Sequence, residues 1–225
     1  MNKQAGFTLI ELAIVLVIIG LLLGGVLRGQ ELINSAKVKN MAADFRNTPV
    51  YVYAYQDKFR ALPGDDKGAV AHLGLTALTG TTASSEIGDG DGVIEGAWDS
   101  TTATNESALF WLHVRKAGLA AGSTNMADGG FFPTNSEGGR IGVSGVQPIT
   151  TLKGQYYICS KGIIGKFAKQ LDTTMDNGTS ADGSMQALEQ PISTGTGTGT
   201  GTGTVGTGAA DAYDDAKTYT VCMAF

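Results

Sequence analysis

From Gln4 to Leu27 the chain carries one charge, Glu11, in an otherwise aliphatic and glycine-containing run. A helix rising about 1.5 Å per residue crosses a hydrocarbon core of roughly 30 Å with some twenty such residues. Lys3 precedes the run and Arg28 ends it. An ordinary secretory signal places its small-residue cleavage site after the apolar stretch. Here the small residues Ala5-Gly6 come before it, so cleavage there leaves the apolar helix on the mature protein. A carboxylate inside an apolar span costs about 2.5–3.5 kcal/mol on insertion scales. Glu11 must therefore either reach the interface near the helix end or meet a cationic partner inside an assembly.

The residues around that carboxylate carry a resemblance. Gly6-Phe7-Thr8-Leu9-Ile10-Glu11 closely resembles the processing site of type IV pilins and of type II secretion pseudopilins. The resemblance covers about the first 30 residues well and the remainder loosely. It implies that prepilin peptidase cuts after Gly6 and that the new N-terminal Phe7 is methylated. It also implies that Glu11 neutralises the N-terminal amine of a neighbouring subunit during filament assembly. The implied location is the bacterial inner membrane as a single-pass precursor with its head in the periplasm, and then a pilus or periplasmic filament. The implied partners are other copies of the chain, related pilins, prepilin peptidase, the inner-membrane assembly machinery and the membrane itself.

Beyond Arg28 the pattern changes. Val38, Met41, Phe45, Val52, Tyr55 and Phe59 recur at helical intervals, with Lys37, Lys39, Asp44, Arg46 and Asp57 mostly off that stripe. This predicts one nearly continuous helix from Phe7 to about Phe59, roughly 80 Å if straight. Gly20, Gly24 and Gly25 weaken its first half. Pro49 is expected to kink it or open it locally, since proline lacks a backbone donor and crowds the preceding turn. Leu62-Pro63-Gly64-Asp65 ends it with turn chemistry. Tyr51, Tyr53 and Tyr55, with Phe45 and Phe59, read as packing residues at helical spacing.

The head is expected from about Pro63. Asn105 can cap a helix through about Ala117, closed by Gly118. Arg140–Gly145, Gln155–Cys159 and Thr218–Ala224 read as strands, and a short helix is expected at Gly165–Met175. The expected fold class is α+β: a long N-terminal helix, half transmembrane and half amphipathic, packed on a small antiparallel-sheet head, an architecture the resemblance also implies. The expected divisions are a leader at 1–6, a transmembrane and assembly helix at 7–28, an amphipathic half at 29–62 and a globular head at 63–225.

Charge and composition exclude some chemistry. The net charge is −5, with 16 Lys+Arg against 21 Asp+Glu and no basic run, so direct nucleic-acid binding is not expected. Two cysteines and two histidines leave little for a metal or redox centre built on those ligands. Neither His72 nor His113 lies in a catalytic pattern, and no HExxH, CxxC or phosphate loop occurs. Gly201, Gly203 and Gly206 match a dinucleotide fingerprint only because the segment is a Thr-Gly repeat. The head's best candidate for chemistry is Gly88-Asp89-Gly90-Asp91-Gly92-Val93-Ile94-Glu95-Gly96. Alternating carboxylates on a glycine-rich loop can fold oxygens round a hard cation such as Ca²⁺. Asp89, Asp91, Glu95 and Asp99, with the Val93 carbonyl, are the candidate ligands. The competing reading is a solvated turn in which Asp-Gly pairs supply positive φ. Asp172, Asp176 and Asn177-Gly178 form a second acidic turn, a weaker candidate of the same kind. The one candidate cofactor is Ca²⁺ at the Asp89–Asp99 loop.

Cys159 and Cys222 lie on two of the expected strands. If Gly6 is processed as the resemblance implies, the head enters an oxidising compartment, which favours a disulfide over two buried thiols. Pilins often close a C-terminal loop this way. Residues 193–208 are nearly pure Thr-Gly and lack side chains to offset ordering entropy, so a surface loop is expected. The leading function is a structural subunit of a type IV pilus or pilus-like filament, not an enzyme. The alternative within the family is a type II secretion pseudopilin. The alternative of another class is a membrane-tethered binding protein or enzyme that does not polymerise.

Overall fold

The computed structural model describes residues 9–75, 86–190 and 213–225. The first element, α1, is a helix from Leu9 to Phe59. The chain divides into two compact units, residues 1–37 and 38–225, so α1 contributes to both. In the first unit the large apolar side chains from Leu9 to Leu27 are 46% to 89% exposed. In the second, Val38, Met41, Ala42, Phe45, Thr48, Val52 and Tyr55 are buried. The expected stripe is therefore a packing stripe, with Phe59 half-buried at its end. Contrary to a local opening at Pro49, the helix passes through it unbroken. Proline removes one amide donor there, while the neighbouring Thr48 hydroxyl donates to the Asp44 carbonyl at 2.9 Å. Burial of the flanking Phe45 and Val52 holds the turn.

After a turn come a short helix α2 (Ala69–Leu73) and a longer one, α3 (Glu106–Lys116). Every residue of α3 from Glu106 to Arg115 is buried, the polar Glu106, Ser107, His113 and Arg115 among them. Its N-terminus corrects one expectation. Asn105 occupies the cap position, but its side chain does not cap and donates instead to the Ser100 hydroxyl at 2.8 Å. The Ser107 amide donates to the Glu95 carbonyl at 3.0 Å, so a neighbouring loop satisfies that helix donor. At the other end Gly118, at φ 77°, allows its own amide to reach Arg115 and the Leu119 amide to reach Val114, which closes the helix.

Four strands follow: β1 (Ile141–Ser144), β2 (Tyr157–Ile164), β3 (Met185–Glu189) and β4 (Thr218–Ala224), with helix α4 (Gly165–Met175) after β2. They form one antiparallel sheet in the order β1-β2-β4-β3. Two departures from expectation occur. β2 continues to Ile164 rather than ending at Cys159, through an irregularity between Ser160 and Ile163 where Gly162 takes φ 73°. β3 was not expected, because Met-Gln-Ala-Leu-Glu favours helix; pairing with β4 overrides that local preference.

The sheet is covered on both faces. Ile158, Ile163, Met185, Ala187 and Val221 join the main core with α1, α3 and α4. Tyr157, Cys159, Leu188 and Cys222 make a smaller core with Ile149 and Leu152. Cys159 and Cys222 sit opposite one another on β2 and β4 and are joined as a disulfide, fully buried in that smaller core. Replacing both cysteines with alanine should lower the unfolding free energy by about 2–5 kcal/mol. A lowered urea midpoint with a steeper slope, since the unlinked unfolded chain exposes more surface, is the expected result for the detergent-solubilised chain.

Candidate functional site

Two regions hold the residues singled out by sequence. In the N-terminal region, Gly6 and Phe7 lie outside the described residues. Glu11 lies in the first turn of α1, where the helix dipole favours a negative charge. The helix after it is long and apolar enough to cross a membrane, and none of its apolar window is buried. Cβ atoms built on Gly20, Gly24, Gly25 and Gly29 would meet nothing within 4 Å. No packing within the described chain requires those glycines.

The second region is the loop from Glu86 to Gly96. It wraps two buried carboxylates that sequence reasoning missed, Asp65 and Glu106. Asp65 Oδ1 accepts the amides of Gly90 and, at 3.2 Å, of Asp91; its Oδ2 accepts the Gly92 amide at 2.7 Å. Glu106 Oε1 accepts the Asp89 amide at 3.1 Å, and Oε2 accepts the Glu95 amide at 3.0 Å. Gly88 is required by close approach, since a Cβ there would lie 2.2 Å from the Asp65 Cα. Gly90 and Gly92 take φ 80° and 94°. The glycine content of this loop is thus explained by amides turned inward onto two internal acids.

That arrangement decides what the candidate ligands can do. Asp89, Asp91 and Glu95 are exposed, and one carboxylate oxygen of each lies within 4.8 Å of the others. Asp99 is not part of that group; its charge acts on Arg140. Asp89 and Asp91 also close local turns, accepting the amides of Asp91 at 3.1 Å and Val93 at 2.8 Å. Asp65, Asp89 and Glu106 form a second acidic group, but the oxygens of Asp65 and Glu106 are already taken by loop amides. The three exposed acids fit a hard cation that keeps several waters, since Ca²⁺ takes six to eight oxygens. In the other acidic turn, Asp172 accepts the Tyr213 hydroxyl and the Gly178 amide, and Asp176 accepts the Met185 amide. Those carboxylates hold backbone and ring. The Thr-Gly segment at 193–208 lies outside the described residues.

Residues 1–27 match the family model of the prokaryotic N-terminal methylation motif. That N-terminal segment is pilin-like. The motif and the long apolar helix fit the type IV pilin and pseudopilin family, and the helix followed by a four-stranded antiparallel sheet is a pilin-like α+β architecture. No curated protein and no solved structure matches the chain. The match covers the N-terminal segment, and with the apolar helix it supports a membrane-anchored precursor.

Glu106 yields a pH prediction. Burial pushes its carboxyl up to about 7, against the two amide bonds that pull it down, and the nearby Asp65 and Asp89 charges push it further. A folded value above the unfolded one means stability present below about pH 4.5 and lost as pH rises through about 7. Glu106→Gln gives up one amide acceptor at every pH, about 1 kcal/mol. It should therefore be less stable than wild type at pH 5 and lose less stability between pH 5 and 7.5, as read from thermal unfolding at each pH.

Proposed function

We propose that this chain is the structural subunit of a type IV pilus or pilus-like filament, cut after Gly6, methylated at Phe7 and polymerised through its N-terminal helix. The observation that carries the reading is the methylation motif over residues 1–27 on a helix whose apolar side chains are bare in the single chain. In this reading the helix is held in lipid as a monomer and among other copies in the filament, with the head on the periplasmic side. Its partners are prepilin peptidase, further copies or related pilins, and the inner-membrane assembly machinery. A pilin-type N-terminus points to a structural rather than a catalytic role. The buried disulfide and the Thr-Gly segment favour an exposed pilus over a type II secretion pseudopilus. The acidic loop favours the pseudopilus reading only if it holds calcium.

Calcium at Asp89, Asp91 and Glu95 is part of the same proposal, motivated by their clustered carboxylates. Saturating Ca²⁺ at 100 times its dissociation constant stabilises by about 2.7 kcal/mol. The expected result is a calcium-dependent rise in melting temperature that Asp89→Asn/Asp91→Asn abolishes. No rise in the unmutated chain overturns the site.

The filament reading is tested at Glu11. Its carboxylate lies in an apolar stretch in which a filament partner's amine would compensate it, and removing one member of a buried charge pair costs about 3–5 kcal/mol. Glu11→Ala, expressed without a wild-type copy, should reach the membrane and yield mature protein beginning at methylated Phe7 by mass spectrometry, yet give few sheared filaments. Normal filament yield overturns the pairing role, and an intact Met1 start in peptidase-competent cells overturns the processing.

A further inference from the structure

The chain has two histidines, and the structure brings both to one pile of four rings at the end of α1. His72 stacks on Phe59 at 5.1 Å between centroids, Phe59 meets Tyr55 at 4.7 Å, and Tyr55 stacks on His113 at 6.2 Å. Asp66 fastens one side of the pile. Its Oδ2 accepts the Tyr55 hydroxyl at 2.7 Å and lies 2.7 Å from His72 Nδ1, while its Oδ1 accepts the Gly68 amide at 2.8 Å.

His113 fastens the other side, and its geometry fixes its tautomer. The Gly64 amide points at Nδ1 at 2.9 Å, and an amide can only donate, so Nδ1 carries the lone pair. The proton is on Nε2, which donates to the Glu86 carbonyl at 2.9 Å. The side chain is fully buried, and both ring nitrogens are committed. One imidazole thus ties three pieces together: the turn after α1, helix α3, and the start of the loop that carries Asp89, Asp91 and Glu95.

We propose that His113 is an acid-sensitive latch, in which a proton taken from solvent onto Nδ1 expels the Gly64 amide and frees the 60–68 turn from α3. The imidazolium keeps its Nε2–H bond to Glu86, but Nδ1 becomes a donor facing a donor. The groups that face the ring are Tyr55 from α1, Asp66 from the turn and Glu86 from the loop. The two acids attract a proton to the ring, and burial outweighs them, holding His113 below the ordinary histidine range. Tyr55 stays neutral, because burial and Asp66 raise it. An unfolded histidine takes its proton near pH 6.5, so the latch stabilises above that value and its contribution is lost as pH falls below it. His72 differs in geometry: its Nδ1 faces the Asp66 carboxylate rather than an amide donor. Glu106 lies farther back on α3 and holds the same loop through Asp89 and Glu95. Its response to acid has the opposite sign.

The test is hydrogen exchange by mass spectrometry on the full chain in detergent, at pH 7.5 and pH 5.0 after correction for intrinsic exchange. In wild type, the peptide covering 60–68 should open at least tenfold more at pH 5.0, while peptides from β2 and β4 do not change. His113→Gln can accept from Gly64 through Oε1 and donate to Glu86 through Nε2, so it should lose the pH response; His72→Gln should keep it. An unchanged wild type, or the same response in His113→Gln, overturns the latch. If His113→Gln does not fold, the single imidazole left in His72→Gln is followed by NMR with ¹³C-labelled histidine. Its protonation should track the opening of residues 60–68, and protonation without opening overturns the latch.

Discussion

The constraint from which the rest follows is that one helix must satisfy two solvents. From Leu9 to Leu27, α1 presents apolar side chains in every direction, and none of that window is buried. From Val38 onward it presents a single stripe, and that stripe is buried in the core of residues 38–225. Each large apolar side chain moved out of water is worth about 1.5–3 kcal/mol. Water is therefore an untenable surrounding for the first segment, which needs lipid or other apolar helices. Glu11 in the helix's first turn is the one acidic cost within that segment, and it lies where the helix dipole offsets part of it. Glu11 lies within the segment, residues 1–27, that matches the N-terminal methylation motif.

In the second unit, buried charge is handled by backbone amides and rings rather than by opposite charges. Asp65 and Glu106 take five amides from one loop. Asp66 takes an amide, a tyrosine hydroxyl and a histidine, and Asp172 takes an amide and a tyrosine hydroxyl. Hydrogen bonds to an ionised group are roughly twice as strong as neutral ones, so a few of them can hold an acid in place. Glu106 shows the limit of the device: two amides do not fully replace water, and its carboxyl stays high. Arg115 is the cationic counterpart, giving its guanidinium to the carbonyls of Ala121, Ser123 and Phe131.

What was legible in the sequence was whatever local chemistry decides. Thr218–Ala224 is rich in Thr, Tyr and Val and forms β4 with the expected bounds, and Gly165–Met175 likewise forms α4. Cys159 and Cys222 lie on two of the expected strands, and the oxidising compartment implied by the resemblance favours the disulfide that joins them. What tertiary contact decides was not legible. Met185–Glu189 has helix-forming residues and becomes a strand only because β4 offers it an edge. Asp65 reads as a turn residue, and nothing in its spacing from Glu106 says that one loop closes over both. The same holds for Asn105, whose cap position was readable while its side-chain partner, Ser100, was not.

The glycines of α1 bear on what covers its first segment. Each glycine in a helix interior costs about 0.8–1 kcal/mol relative to alanine. Gly20, Gly24, Gly25 and Gly29 incur that cost at positions where a Cβ would touch nothing, and their positive-φ freedom goes unused inside a regular helix. The single chain thus gains nothing from them. Lipid alone gives no compensating gain either, because a larger aliphatic side chain at the same place would be better buried in hydrocarbon. Close approach of another helix does, since small residues let backbones come together and widen the contact of their neighbours. Gly20 and Gly24 lie one turn apart on one face, and Gly25 and Gly29 one turn apart on another. A helix with two such faces has room for more than one neighbour, as the proposed filament would supply.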